Sequence, residues 1–246
     1  MEPSPADQPF LTAQWKNLCL FNYPVPDEVL KPHLPPGLQL DRYEGSAYVS
    51  LVAFQFLNTK VWGISWPGYR DFAELNLRFY VRRDGVRGVV FIREYVPKRL
   101  IVWMARWIYN EPYRAAAMRY ELEEKADSVT GRCLIQVAGR WHRLEVQASK
   151  SPQVPPENSP EHFFKEHSWG FGKDRQGNPT SYRVHHPIWQ TYPVLGYTVD
   201  VDWGAVYGPE WDFMNDRKPA SVVFALGSEV SVHPLQRPPQ ASDLQA

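Results

Sequence analysis

The sequence predicts a mainly β domain with a few short helices. Three observations favour this class: runs of alternating apolar and polar residues, turn signals between those runs, and 23 prolines among 246 residues, well above the usual ~5%. Ten tryptophans indicate a large aromatic core. The chain is long enough to bury such a core, although length alone is consistent with one large domain or two small ones.

The strongest local signal is a hairpin centred on Asp84-Gly85, a pair typical of a two-residue type I′ turn. In that register Arg83 pairs with Val86, and one face carries apolar residues together with Glu94. The other face is polar and aromatic, with Glu74, Asn76, Arg78, Tyr80, Phe91, Arg93 and Tyr95. Such a face is consistent with a pocket inside a barrel or with the solvated side of an amphipathic hairpin.

The other elements follow from the same rules. Strands are predicted at residues 14–23, 38–43, 47–57, 113–125, 132–137, 139–148, 180–185, 189–201 and 221–232. Asp27 is expected to cap a short helix through Leu34, and helical spacing predicts a helix at residues 99–109. Ser159, followed by Pro160, predicts a helix start. The Trp- and Gly-containing segment 61–69 is expected to be a loop that forms a wall or lid over a site.

We predict one domain over residues 13–232, between flexible tails at 1–12 and 233–246. No signal peptide is expected, and the apolar run at 100–109 is too short to span a bilayer. Cys19 and Cys133 show no metal or redox spacing, which favours a reducing compartment. We therefore expect a cytoplasmic protein without a membrane partner, and the zero net charge gives no sign of nucleic-acid binding.

Several segments resemble the YqjF-like family of uncharacterised bacterial proteins, a domain of unknown function. The resemblance rests on residues 15–18, 34–37, 47–52, 74–78, 88–94, 109–113, 166–170, 186–187 and 227–230. That family is grouped with the acetoacetate decarboxylase-like superfamily. Membership implies a closed conical antiparallel β-barrel with a central pocket and short peripheral helices. It also implies a homo-oligomer, for which Trp62 and Trp66 are candidate contacts.

The resemblance further implies a reactive lysine. In the decarboxylase this lysine lies in a Pro-Lys-Lys-Leu segment downstream of an Arg-Glu pair, and here Arg93-Glu94 precedes the segment at residues 97–100. Lys98 matches the Schiff-base lysine, while Arg99 replaces the neighbouring lysine. Glu74 resembles one of two active-site glutamates. The second glutamate has no counterpart in residues 49–54, and the spacing between the two pairs is two residues shorter than in the decarboxylase.

The chemistry of these residues fits that role. Burial and a neighbouring cation both lower the pKa of a lysine, and an amine must be neutral to attack a carbonyl. Arg99 and the start of the predicted helix would supply positive charge, which also attracts a small anion. Lys98 and Glu74 are therefore the candidate catalytic residues. The candidate substrate-binding residues are Arg99, Arg93, Asn76, Arg78 and Tyr95. Alternatively, Lys98 and Arg99 are solvated charges at a strand-to-helix corner.

No metal or other cofactor is predicted. The histidines, including His142, His167, His185 and His186, lack metal-ligand spacing, although His142 or His186 is a candidate pocket residue. Three functions remain open. The protein is a lyase-like enzyme acting on a small keto acid or carbonyl compound, a non-catalytic protein that binds a small carboxylate or carbonyl ligand in the same cavity, or a structural or partner-binding module with a filled barrel.

Overall fold

In a computed structural model, which describes residues 8–236, about half of the described residues are in β-strands. The strands are β1 (Leu11–Val25), β2 (Gln39–Leu40), β3 (Ala47–Val61), β4 (Phe72–Arg83), β5 (Val86–Val96), β6 (Tyr113–Ala115), β7 (Ala117–Glu124), β8 (Ser128–Val137), β9 (Arg140–Ser149), β10 (Trp169–Lys173), β11 (Pro179–His185), β12 (Thr191–Tyr192), β13 (Val194–Asp200) and β14 (Ser221–Val232). The helices are α1 (Asp27–Leu30), α2 (Arg99–Ile108), α3 (Pro160–Lys165) and α4 (Trp203–Tyr207), with 3-10 turns at Lys31–His33 and Pro209–Met214.

The strands form a ten-stranded sheet and a four-stranded sheet within the described residues. In the larger sheet, pairing runs from β4 through β3, β1, β14, β11 and β10 to β5, and β5 in turn pairs with β4. The smaller sheet has the order β13-β9-β8-β7. Pairing is mostly antiparallel, but β5 pairs parallel with both β10 and β6. The prediction of an entirely antiparallel arrangement is wrong at these two edges.

The central hairpin forms as predicted, with an irregularity that the sequence did not reveal. Arg83 pairs with Val86, and Asp84 and Gly85 have φ values of 49° and 84°, as a type I′ turn requires. The register then shifts, because Arg78 pairs with Phe91 whereas Leu77 pairs with Arg93. Ile92 is therefore the extra residue of a β-bulge, and every side chain of β5 beyond it changes face.

The bulge reverses part of the predicted face assignment. Glu94 lies opposite Asn76 and shares a face with Glu74, whereas the sequence placed it on the apolar face. Arg93 and Tyr95, predicted on the polar face, lie on the opposite side. Directly paired residues point to the same side of a sheet, so a one-residue shift is sufficient to exchange them.

The two faces of the hairpin have different surroundings. The core face packs against the four-stranded sheet and α4, and consists of Leu75, Leu77, Phe79, Val81, Val90 and Ile92. The cavity face carries Glu74, Asn76, Arg78, Val89, Phe91 and Glu94. Through Val89 it contributes to a second apolar cluster, which also includes Phe54 of β3. These two names are used below.

Most predicted helix boundaries are close to the observed ones. Ser159 caps α3, since its hydroxyl accepts a hydrogen bond from the His162 N–H at 3.2 Å. The predicted cap at Asp27 is wrong, because Pro26 occupies the cap position and the Asp27 side chain pairs with Arg42. The predicted strand at residues 189–201 is divided into β12 and β13.

Residues 1–7 and 237–246, which make up most of the tails predicted at 1–12 and 233–246, lie outside the described residues. Within the described part, Phe10 is buried against Trp62 and Tyr109, and β1 begins at Leu11. The packed structure therefore starts earlier than predicted. Among residues 8–236, no helix is both long and apolar enough to cross a membrane.

Candidate functional site

A cavity of about 390 Å³ lies against the cavity face of the hairpin. Its walls come from strands β1, β3, β4, β5, β6, β10, β11 and β14, from the loop between β3 and β4, and from α2. Most of the wall is apolar and aromatic, with contributions from Phe10, Trp15, Leu18, Val52, Phe54, Phe56, Phe72, Val89, Phe91, Ile101, Met104 and Trp169. This size falls within the range of small-molecule sites in proteins.

Three carboxyl groups line the cavity and form what we call the acid cluster: Glu74, Glu94 and Glu111. Each of these residues is less than one-tenth exposed. Glu74 comes from β4, and the bulge turns Glu94 of β5 to the same side. Glu111 follows α2, where Asn110 adopts a left-handed conformation with φ 53° and turns the chain back towards β5. The parallel pairing of Glu94 with Tyr113 completes the convergence.

Hydrogen bonds satisfy the acid cluster unequally. Asn76 Nδ2 donates to Glu74 Oε1 at 3.0 Å, and the Tyr113 hydroxyl donates to Glu74 Oε2 at 2.9 Å. The Tyr182 hydroxyl hydrogen-bonds to Glu111. Glu94 Oε2 and Asn76 Oδ1, by contrast, have no partner among the residues that the structure describes. Buried polar atoms without partners are uncommon and mark positions where a ligand can bind.

Burial and mutual repulsion raise the pKa values of the acid cluster. Burial raises the pKa of Glu74 to about 7, against the opposing effects of its Asn76 and Tyr113 hydrogen bonds and of Arg78. Burial, and to a lesser extent the Glu74 charge, raises the pKa of Glu111 to about 8. The pKa of Glu94 lies well above its usual value because of burial and the neighbouring carboxyls. Near neutral pH the cluster therefore contains both protonated and ionised carboxyls.

Arg78 and His167 form a second polar part of the wall. The Arg78 Nη2 donates to the Phe164 carbonyl at 2.9 Å, and the His167 ring lies 4.9 Å from the Tyr80 ring. Burial, reinforced by the charges of Arg78 and Arg87, lowers the pKa of His167 well below its usual value. His167 is consequently uncharged at neutral pH. Among the described residues that line the cavity, Arg78 is the only lysine or arginine.

The structure brings some of the predicted site residues together and separates others. Glu74, Asn76 and Arg78 line the cavity. Arg93 Nη1 and the Tyr95 hydroxyl both donate to the Val206 carbonyl at 2.6 Å, on the core side of the hairpin.

Lys98 lies near the cavity without lining it, within the part of the chain that the structure describes. Its Nζ is 5.8 Å from the centroid of the Tyr69 ring, and Tyr69 is a lining residue. Lys98 is partly exposed, and Arg99 is exposed at the start of α2. Their predicted roles remain predictions.

Several lining residues had no site role in the sequence analysis: Glu94, Glu111, Tyr113, His167 and Tyr182. Glu94 was assigned to the wrong face because the bulge at Ile92 has no local sequence signal. Glu111 and Tyr113 belong to segment 109–113, which carries the family resemblance, and that resemblance was the available signal. Of the candidate pocket histidines, His142 accepts a hydrogen bond from the Asp202 N–H, and His186 stacks on Trp189 beside a separate shallow groove.

Exposed aromatic residues form part of the cavity lining. The loop expected to form a wall or lid contributes Trp62, Ile64, Trp66 and Tyr69 to the lining. Trp62 and Trp66, the predicted self-association contacts, are 66% and 54% exposed. Within residues 8–236, no group of three or more His, Cys, Asp or Glu side chains is arranged to hold a metal ion.

The mainly β fold of this domain is shared with solved structures of acetoacetate decarboxylase and related enzymes. Acetoacetate decarboxylase from Legionella pneumophila (strain Philadelphia 1) superimposes with a TM-score of 0.61 at 14% identity, over 94% of this chain and 90% of that one. The enduracididine biosynthesis enzyme MppR, complexed with pyruvate, gives a TM-score of 0.62 at 16% identity, over 93% and 90% of the two chains. At these identities the similarity establishes the fold alone.

The amino-acid sequence identifies a more specific relationship than the fold does. Residues 12–229 match the model of DUF2071, described as an uncharacterized conserved protein, and the chain belongs to this family. Uncharacterized protein YqjF of Bacillus subtilis (strain 168) is 35% identical over 108 residues, which cover 44% of this chain and 45% of YqjF. The match thus spans less than half the length of that relative. The predicted membership of a YqjF-like family with an acetoacetate decarboxylase-like fold is confirmed.

Proposed function

We propose that the protein is an enzyme that binds a small carbonyl compound in the cavity and moves a proton with the acid cluster. The observation that supports this most strongly is the convergence of three buried carboxyl groups on one largely apolar cavity. General acid–base catalysis is most effective when the catalytic pKa lies near the working pH. Buried carboxyls with pKa values of about 7 and about 8 meet that condition.

The simplest reaction of this kind is enolisation. An ionised carboxylate, Glu74 in the proposal, takes a proton from the carbon beside the carbonyl, and the C–H electron pair becomes the C=C bond of an enol. A protonated carboxyl, Glu111 or Glu94, donates its proton to the carbonyl oxygen. Atoms and charge balance within the cluster, and reversal returns the ketone. Asn76 and Arg78, which line the same wall, would orient the substrate.

The ring of paired strands supports this proposal because every strand of the ring contributes residues to the cavity wall. We take this ring, which runs from β4 to β5 and back to β4, to be the closed conical barrel implied by the family resemblance. A closed wall excludes water, which strengthens electrostatic interactions inside the site.

Proton exchange tests the enzyme proposal directly. In D2O, wild-type protein should exchange the protons beside the carbonyl of a small ketone or aldehyde faster than buffer does, as followed by proton NMR. Glu74→Gln should slow the exchange by about 100-fold or more. Glu123→Gln, at an exposed position on β7, is the matched control and should not change the rate. Binding of the compounds without exchange above the buffer rate would instead support a non-catalytic binding protein.

A Schiff-base lyase using Lys98 is a second candidate. It is favoured by the position of Lys98 beside Tyr69 at the cavity wall, and by the fold shared with an enzyme complexed with pyruvate. Schiff-base formation releases water and borohydride adds two hydrogens, so trapping with pyruvate or acetoacetate should add to Lys98 the mass of the bound carbonyl compound less one oxygen atom, and Lys98→Ala should abolish labelling. The exposed Lys125 provides the control variant Lys125→Ala. Absence of an adduct on Lys98 would eliminate the covalent route and leave acid–base catalysis unaffected.

A further inference from the structure

The cavity is large compared with pyruvate or acetoacetate. A cavity of roughly 150 Å³ in a protein core is enough to hold benzene, which has six non-hydrogen atoms. By the same proportion, about 390 Å³ holds a ligand on the order of 15 non-hydrogen atoms. A small keto acid would leave more than half of this space empty or filled with water.

The wall of the cavity does not suit water. Strand residues such as Val52, Phe54 and Val89 face it from one side, and Ile101, Met104 and Ala105 of α2 line it from another. Water in a cavity needs two to four polar partners, which the apolar part of this wall does not offer, and apolar walls instead bind apolar groups. The substrate that fits the wall therefore carries an apolar body.

The charges that line the cavity disfavour a carboxylate. The acid cluster contributes three carboxyl groups, whereas Arg78 is the sole lysine or arginine among the described lining residues. Arg78 already donates to the Phe164 carbonyl, and it lies close enough to Glu74 to oppose the rise in the pKa of that carboxyl. An anionic head group would meet like charge near the acid cluster, whereas an uncharged carbonyl accepts a hydrogen bond from a protonated carboxyl.

We infer that the substrate is an uncharged ketone or aldehyde with an apolar body of roughly 10 to 15 non-hydrogen atoms, rather than a small keto acid. This inference rests on the proposed function and narrows its substrate class. The carbonyl end lies at the acid cluster, and the apolar body lies against the strands and the inner face of α2. Trp62 and Trp66, which are exposed and also line the cavity, extend its apolar wall to the protein surface.

Four compounds separate the effect of ligand size on affinity from the effect of ligand charge: acetone, benzylacetone, pyruvate and phenylpyruvate. Affinity is measured by quenching of tryptophan fluorescence and by calorimetry at about pH 7.5. Benzylacetone should bind at least roughly tenfold more tightly than acetone, because its ring is removed from water, and roughly tenfold more tightly than phenylpyruvate. Pyruvate binding more tightly than benzylacetone, or phenylpyruvate binding more tightly than benzylacetone, would overturn the inference.

A substitution that fills part of the cavity tests where the apolar body of the ligand binds. Ala105→Phe should weaken benzylacetone binding by roughly tenfold, because Ala105 lines the cavity from α2. The matched control, Ala117→Phe at an exposed position on β7, should leave the affinity unchanged. If Ala105→Phe does not fold, as judged by circular dichroism, Met104→Trp fills the same space. Unchanged affinity in a folded filling variant would contradict the assignment of the body to this cavity.

The same probes distinguish failure of the substrate class from failure of the enzyme proposal. Proton exchange is measured in D2O with each compound that binds. Tight binding of benzylacetone without exchange would remove the catalytic proposal. Exchange with pyruvate, but not with benzylacetone, would support an enzyme and overturn the substrate class inferred here.

Discussion

The two faces of the β4–β5 hairpin differ in packing and hydrogen bonding, although their residues alternate along the same strands. On the core face, Arg93 and Tyr95 both donate to the Val206 carbonyl, and the apolar residues around them pack against a second sheet. On the cavity face, Glu94 Oε2 lacks a partner among the described residues, and an open space adjoins the side chains. The core face is built for stability, whereas the cavity face retains unsatisfied groups that are available to a ligand.

The largest effect on stability is expected from removing Ile92, the extra residue of the β-bulge. Deletion of Ile92 removes the bulge but leaves Glu94 opposite Asn76, so Glu94 stays on the cavity face while the core face loses a buried side chain. Loss of a buried isoleucine side chain costs about 2 to 5 kcal/mol, so we expect a loss of about 4 kcal/mol in the free energy of unfolding. Urea denaturation measures it. Ile92→Val, which keeps the residue count, should cost only about 1 kcal/mol, and a similar small loss in the deletion variant would show that the bulge is not needed.

The next effect is a pH dependence that arises from the cavity face. The pKa values of Glu74 and Glu111 are raised to about 7 and about 8, above the ~4.3 of an unfolded glutamate. The folded state therefore binds more protons than the unfolded state between these values. The stabilisation is fully present below about pH 4 and is lost as the pH rises towards 8, at up to about 1.4 kcal/mol per pH unit for each group.

Denaturation at a series of pH values between about 5 and 8 checks this prediction. Wild-type stability should fall by about 3 kcal/mol or more over this range, and Glu111→Gln should flatten the decline. Glu121→Gln, at an exposed position on β7, should reproduce the wild-type slope. A wild-type stability that increases with pH would contradict the raised pKa values.

A smaller difference is expected between matched leucines on the two sides. Leu77 is fully buried on the core face, whereas Leu18 is 2% exposed and lines the cavity. Leu77→Ala should cost about 3 kcal/mol because it opens a void in a closely packed core. Leu18→Ala should cost about 1.5 kcal/mol, since one side of that residue already faces open space. Equal losses would indicate that the cavity wall is packed as tightly as the core.

The smallest effects concern added volume on β5. A Cβ at Gly88 would lie 2.5 Å from the Phe171 ring and 2.6 Å from the Trp169 carbonyl oxygen. Gly88→Ala should therefore cost about 2 kcal/mol. Val89→Leu, which extends into the cavity, should change stability by less than about 0.5 kcal/mol. Thermal unfolding of the two variants at one pH compares them, and a larger loss in Val89→Leu would reverse the assignment of faces.

Local sequence signals were enough for the hairpin turn, the start of α3 and the extent of α2. Asp84-Gly85 favours a left-handed two-residue turn wherever it occurs between alternating runs, and Ser159-Pro160 favours a helix start. The motif segments along the chain identified the family without any structure, and Glu74, Asn76 and Arg78 were recognised as a polar face. These features depend on residues a few positions apart.

The acid cluster depended on tertiary structure. Side chains alternate with a period of two along a strand, so the extra residue at Ile92 changes the face of every residue beyond it. Strand β5 pairs with β10 before this bulge and with β6 after it. Glu111 reaches the cavity because α2 and the turn at Asn110 return the chain to β5. Sequence alone determined which family and which local elements this chain forms. The three-dimensional pairing of distant segments decided which carboxyl groups meet. It also buried them together, which raises their pKa values.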